Sequence, residues 1–256
     1  MRERGGIFLA QWRKDLRTFC LSMLALVLWV LPWAGYGAVC FRAAGEARPV
    51  SAPAVKGYLA LTFDDGPRRE TTTLLLDGLA QRGVHATFFV IGTRIEGQED
   101  LLLRMAEEGH QVGIHSYNHK VLSGLSKAQL AEEVDGLANA LFELLGQREF
   151  MLRPPYGMTD NALRRSAPYP IILWAVDPED WSDHDAERQV EVIVEKAKDG
   201  DIILLHDIYH ASVETALRVV DALLAEGYYF VTVEELFAIR GVEPEPGREY
   251  RSLPGD

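Results

Sequence analysis

Residues 58–67 read YLALTFDDGP, a short apolar run that ends on two carboxylates and is then turned by Gly66-Pro67. A run of that length, bounded by turn residues, reads as a buried strand. Working outward, similar runs recur at Ala86–Gly92, Gln111–His115, Phe150–Arg153, Ile171–Asp177, Asp201–His206 and Tyr229–Val233. Between them, Thr71–Gln81, Leu101–Glu108, Lys127–Leu145, Ala186–Lys198 and Ser212–Glu226 repeat their apolar residues at three and four positions, the period of amphipathic helices. Strands alternating with helices imply right-handed crossovers and a mainly parallel sheet, either open or closed as a barrel. Seven strands fit a barrel one short of the usual eight. Both architectures put their chemistry at the carboxyl ends of the strands. There the sequence places Asp64, Asp65, His115, His119, Arg153, Asp177, Asp180 and His206. No internal repeat, Gly-rich phosphate loop or G-x-S-x-G elbow accompanies them, which argues against nucleotide binding and serine hydrolysis.

The chain has 256 residues, 48% apolar and 25% charged, enough for one domain with short extensions. Its formal net charge is −12, and the imbalance is uneven. Residues 1–42 carry six basic and two acidic side chains, leaving 20 basic against 36 acidic in the remainder, a net of −16. Phosphate contacts need a basic surface, so a general nucleic-acid binder is disfavoured. Both cysteines, Cys20 and Cys40, precede the folded part, which therefore has no internal disulfide and no thiolate metal site.

The 24 uncharged residues Thr18–Phe41 are long enough to cross a bilayer and follow the basic residues Arg2, Arg4, Arg13, Lys14 and Arg17. We read 1–17 as a basic cytoplasmic segment, 18–41 as a transmembrane anchor or signal segment, and 42–57 as a linker. A cleaved signal peptide is the alternative, with small residues near Gly35–Ala38 for the cut. The folded domain is expected at 58–240 and a flexible tail at 241–256, whose GVEPEPGREYRSLPGD is rich in turn residues.

The rim residues define the chemistry available. In Thr62-Phe63-Asp64-Asp65-Gly66-Pro67, side chains of adjacent strand residues point apart, so the two aspartates are expected to do different jobs, and one can ligate a metal while the other faces a water. A helix cap or turn is the structural alternative for the pair. His115 and His119 with one carboxylate make a three-ligand site with room for water. His206 and His210 have the same spacing, so one of the two pairs must do something else. Arg153 leaves an apolar run into Pro154-Pro155, which lack backbone N–H groups, so Tyr156 carries the first donor of that loop, suited to an oxyanion hole. The structural alternative for Arg153 is an ion pair with a nearby carboxylate. Asp177, Asp180 and Trp181 add acidic groups and an indole to the rim, and His206 ends the run Leu204-Leu205-His206 where proton transfer near neutral pH is natural.

Taken together, TFDDGP at 62–67, HSYNH at 115–119, RPPY at 153–156, DPEDW at 177–181 and LLH at 204–206 resemble, in order, the motifs of the polysaccharide deacetylases, carbohydrate esterase family 4. The resemblance covers essentially all of 58–240 and implies a deformed (β/α)7 barrel that removes acetyl groups from sugars with one divalent metal ion. By that resemblance Asp65, His115 and His119 bind the metal, Asp64 is the general base and His206 the general acid. Arg153 then holds Asp64, Tyr156 lends its backbone N–H, Asp180 orients the acid side, and Trp181 and Leu204 line the acetyl pocket. Zinc is the first choice of metal, with cobalt, nickel or manganese compatible with the same ligands. His210 is expected to be a surface or capping residue. The expected partners are an acetylated polysaccharide, first of all peptidoglycan N-acetylglucosamine, and the membrane, with the protein acting outside the cytoplasm as a monomer. Chitin oligomers or an exopolysaccharide are alternative substrates, and an inactive sugar-binding relative or an unrelated metal hydrolase are alternative functions.

Overall fold

The computed structural model describes residues 55–255. The opening strand runs as β1 (Gly57–Asp64), followed by α1 (Arg69–Arg82), β2 (Thr87–Val90), α2 (Glu99–Glu107), β3 (Gln111–Ile114), α3 (Lys127–Leu145) and α4 (Asn161–Ser166). Then come β4 (Ile171–Ile172), α5 (Ala186–Lys196), β5 (Ile202–His206), α6 (His210–Ala225), β6 (Tyr228–Val231), α7 (Val233–Arg240) and β7 (Glu249–Tyr250). β1 is central: its carboxyl half pairs with β2 and its amino half with β6, while β5 lies along the opposite edge. β2 pairs with β3, and single bridges continue the circuit from Ile114 to Leu152, from Leu152 to Ile171 and from Val176 to Ile203 of β5. All of these pairings are parallel, so the sheet closes on itself as an irregular barrel.

Alternation along the strands divides the core in two. Leu59, Leu61 and Phe63 of β1 and Phe88 and Val90 of β2 face outward into a large apolar cluster with the helices. Ala60, Phe89, Ile172 and Ile202 face inward and meet Val233, Leu236 and Phe237 of α7, which plugs the end where the strands begin. On α3, Leu130, Val134, Leu137 and Leu141 are spaced at three and four residues and buried, each worth about 1.5–3 kcal/mol of transfer free energy. Ser126 and Gln129 form a capping box that starts this helix, and Gly146 ends it in the left-handed conformation. At Gly113 a Cβ would lie 2.7 Å from the Phe89 ring, so the inward aromatic needs a glycine on the neighbouring strand.

Several expectations need correction. Residues 241–255 are not a flexible tail: β7 pairs with β4, Ser252 bridges Asp201, and Tyr250 and Leu253 are buried in the inner cluster. The gap between β4 and β5 is bridged at Val176 on one side only, and this segment fills the other. Arg240 secures it by donating from Nε to the Leu253 carbonyl at 2.8 Å. The domain therefore runs past residue 240. The strand expected over Phe150–Arg153 reduces to the single residue Leu152, bridged on both sides, and the run Ile171–Asp177 to two strand residues and a bridge at Val176. Val233 starts a helix instead of ending a strand, because Thr232 and Glu235 form a capping box. The expected cytoplasmic segment, the transmembrane segment and nearly all of the linker lie outside the described residues. Among the described residues, no helix is long and apolar enough to cross a membrane.

Candidate metal and catalytic site

Five non-glycine residues among those described take left-handed φ: Asp65, Ser116, His119, Tyr156 and Glu179. All five lie where the chain leaves the carboxyl end of a strand segment, inside the motifs quoted above. Such residues cost roughly 1–3 kcal/mol each and persist only where the surroundings over-determine them. The strain is concentrated on one rim.

Asp64 is inward-facing by strand parity and buried. Adjacent Asp65 leaves the extended path at φ 73, and Arg94 Nη1 donates to its carbonyl at 2.7 Å. The two carboxylates therefore do not simply diverge as strand geometry implies. Both approach one imidazole, with His115 Nε2 lying 3.7 Å from Asp64 Oδ2 and 3.5 Å from Asp65 Oδ1. Gly66 follows, and a Cβ there would stand 2.3 Å from Asp207 Oδ1, so only glycine lets this turn seat against the loop after β5. Thr72 anchors that buried aspartate by donating to Oδ2.

His115 leaves β3 with its Nδ1–H donating to the Arg153 carbonyl at 2.7 Å, which fixes the tautomer and leaves Nε2 as a free lone pair. Burial pushes this imidazole below its ordinary pKa, against the pull of Asp64 and Asp65, so it is neutral and able to ligate. The left-handed Ser116 and His119 turn the loop back on itself, bringing the two imidazoles to 5.1 Å between centroids and His119 Nε2 to 3.1 Å from Asp65 Oδ1. One ligand atom from each of Asp65, His115 and His119 falls within 4.8 Å of the others. Burial opposes ionisation of Asp65, but the neighbouring His119 and His115 imidazoles bring its carboxyl down to about 2. Its Oδ1 is buried with no hydrogen-bond partner. A buried carboxylate oxygen without a hydrogen bond, 3.1 Å and 3.5 Å from two imidazole nitrogens, fits a divalent cation.

Arg153 is fully buried and acts on Asp64 from inside the barrel. Its Nη1 donates to Asp64 Oδ1 at 2.8 Å and to Thr62 Oγ1 at 2.7 Å, while Nε and Nη2 bind the Ile172 and Leu173 carbonyls at 3.1 Å. The guanidinium also lies 4.2 Å from the Phe89 ring centroid. A buried cation this completely partnered is tolerable where an unpaired one is not. Past Pro154 and Pro155, Tyr156 turns at φ 62 and lays its ring 4.8 Å from that of His119, 65% exposed.

Across the cleft, His206 ends β5. Its Nδ1 bonds Asp180 Oδ1 at 2.8 Å, and its backbone N–H bonds Oδ2 at 2.8 Å. Asp180 is fully buried and also accepts from Ser212 Oγ of α6. Burial alone would depress the His206 pKa, but the Asp180 hydrogen bond and charge, with Asp64 and Asp65 behind, raise it to about 9. His210 sits in the first turn of α6, exposed and 3.0 Å from Glu70, away from the other imidazoles.

Together with Leu204 and Trp181, which is 56% exposed, these groups line a cleft of about 580 Å³. All the residues expected on sequence grounds at the rim are near it, Arg153 and Asp180 from behind and the rest in its wall. Two wall residues went unnoticed, Trp174 and Tyr209. Trp174 was hidden inside an apolar run read as strand, and Tyr209 sits three residues after His206 with no motif to mark it. Thr62 was missed too, although strand parity with Asp64 signals it.

The polysaccharide deacetylase family profile matches residues 51–169. The chain is 39% identical over 182 residues to peptidoglycan-N-acetylmuramic acid deacetylase PdaC of Bacillus subtilis, covering 71% of this chain and 39% of that protein. It therefore spans about two fifths of the length of that relative. A peptidoglycan-N-acetylglucosamine deacetylase of Bacillus cereus is 37% identical over 187 residues, covering 70% of this chain and 87% of that protein. Among solved structures, the T48 deacetylase with substrate superposes with a TM-score of 0.73 at 41% identity, covering 76% of this chain and 96% of that one. With the family profile on residues 51–169 and 37% identity across 87% of the Bacillus cereus protein, the chain belongs to the polysaccharide deacetylase family.

Proposed function

We propose that the chain hydrolyses the acetamide of an N-acetylated polysaccharide of the cell envelope, first of all peptidoglycan N-acetylglucosamine, releasing acetate and a sugar with a free amine. The observation that carries this reading is the orphaned Asp65 Oδ1 facing His115 and His119, flanked by Asp64 on Arg153 and by His206 on Asp180. A divalent metal bound there, zinc in our reading with cobalt, nickel or manganese compatible, supplies Lewis-acid polarisation of the acetyl carbonyl and activation of water.

The protein groups do the rest. Asp64 accepts the proton of the attacking water through Oδ2, because Arg153 occupies Oδ1. The Tyr156 N–H donates to the oxyanion of the tetrahedral intermediate. Collapse breaks the C–N bond, and an amine cannot leave as an anion, so His206 protonates the nitrogen. Asp180 holds His206 by Nδ1, leaving Nε2 for that transfer, and Trp181 with Leu204 receives the acetyl methyl. Among the described residues, no lysine or arginine lines the cleft, which favours a neutral sugar over one bearing a lactyl carboxylate. The family relatives named above support action outside the cytoplasm, and the uncharged 18–41 segment is our proposed membrane tether, with the barrel monomeric.

The test is mass spectrometry of peptidoglycan, chitin and xylan fragments after incubation with the full chain, with zinc and with a chelator. Metal-dependent loss of acetyl groups is expected, from peptidoglycan first. Hydrolysis of phosphate esters or peptides with the acetylated sugars untouched would overturn the reading.

A further inference from the structure

His119 is the most exposed member of the ligand triad and sits at left-handed φ in the irregular loop between β3 and α3. A ligand on such a loop is held only as firmly as its neighbours. The first part of the loop is tied to the turn after β2, where Gly92 N–H donates to the Ser116 carbonyl at 3.2 Å and Thr93 N–H to the Tyr117 carbonyl at 2.9 Å. The Tyr117 ring also packs on Gly92, where a Cβ would stand 2.5 Å from it.

Beyond Tyr117 the support changes hands. Glu133 of α3 accepts from the Asn118 backbone N–H at 2.8 Å through Oε2, and from Asn118 Nδ2 at 3.0 Å and Lys120 Nζ at 2.8 Å through Oε1. Its side chain is 2% exposed, on the same buried helix face as Leu130, Val134 and Leu137. A carboxylate on that apolar face carries a desolvation cost that an apolar residue would not. Here three donors offset that cost, and all three belong to the residues immediately before and after His119.

We propose that Glu133 is a positioning residue for the bound metal: it clamps Asn118 and Lys120 on either side of His119, keeps that imidazole facing Asp65 and His115, and so sets metal affinity. Glu133 does not line the cleft and touches no reacting group. The inference rests on the reading of Asp65, His115 and His119 as the ligand set.

The experiment strips the full-length chain with a chelator and titrates Zn²⁺ against a chromophoric competitor, at a temperature where circular dichroism shows each variant folded. Glu133→Gln keeps the shape and loses the charge, and is expected to weaken Zn²⁺ binding by about 10- to 100-fold, the usual effect of losing an outer-shell support. Its acetate release should return towards wild type as Zn²⁺ is raised. Should Glu133→Gln not fold, the Asn118→Ala, Lys120→Met double variant removes the two side-chain donors, leaves Glu133 in place and should weaken Zn²⁺ binding in the same direction. Unchanged Zn²⁺ affinity in the folded variants overturns the proposal, even if their melting temperatures fall. A wild-type chain that binds no Zn²⁺ removes the ligand assignment and this inference with it, whereas wild-type binding with unaltered variants removes only the clamp.

Discussion

Two segments carry a histidine pair at the same spacing, His115–His119 after β3 and His206–His210 in the segment that ends β5, yet only the first becomes a cluster. After β3, Ser116 and His119 adopt left-handed φ, fold the chain back and set the two imidazoles beside Asp65. After β5, Tyr209 stays extended and α6 begins at His210, so the second imidazole is carried out to Glu70 while the first remains on Asp180. Residue types and intervals are alike, and the backbone decides the outcome. A ligand pair requires a loop that pays the strain of turning inward, whereas a helix start after the same interval separates acid from surface residue.

Substitutions can sharpen or break that contrast. The largest effect is expected at His206, where His206→Ala removes the proposed proton donor and should lower acetate release by about 10²- to 10⁴-fold while one equivalent of metal is retained. Metal loss in that variant, measured by atomic absorption, would merge the two pairs. Asp180→Asn comes next. The carboxylate stabilises protonated His206, so its loss lowers the pKa from about 9 and should move the alkaline limb of the pH–rate profile to lower pH, besides slowing turnover. An unmoved limb would show that another group sets it. His210→Ala stands last: its exposed pair with Glu70 is worth about 0–1 kcal/mol. Metal content should be unchanged and activity within about twofold, the ordinary range of surface changes. A stripped site in His210→Ala would reverse the assignment.

Much of this arrangement is legible in the sequence because it depends on short-range pattern. The apolar period of α3 begins right after Ser126 and ends before Gly146, so its bounds can be read directly. The strand-end positions of Asp64, His115 and His206 follow from apolar runs that stop at them. Less legible are features set by tertiary partners. Tyr250 and Leu253 look like isolated residues in a turn-rich stretch, and only the open edge between β4 and β5 gives them a place to bury. Leu152 reads as strand but pairs as an isolated residue, bridged to Ile114 and Ile171, while the next residue turns its guanidinium inward onto Asp64. The start of α7 is marked by Thr232-x-x-Glu235 and masked by the strand-like run Tyr228-Tyr229-Phe230-Val231 before it. The left-handed turns at Asp65, Ser116 and His119 carry only the weak tendency of Asp and His towards that conformation, and the surroundings impose them.

The most direct test of the central claim is where a divalent ion binds, read by anomalous scattering at the metal edge from crystals of the chain grown with Zn²⁺. One peak is expected at the cleft floor, about 2.0–2.2 Å from Asp65 Oδ1, His115 Nε2 and His119 Nε2, with Asp64 and His206 outside the coordination sphere. A peak on His206 or His210, or one that takes Asp64 in place of Asp65, would contradict it.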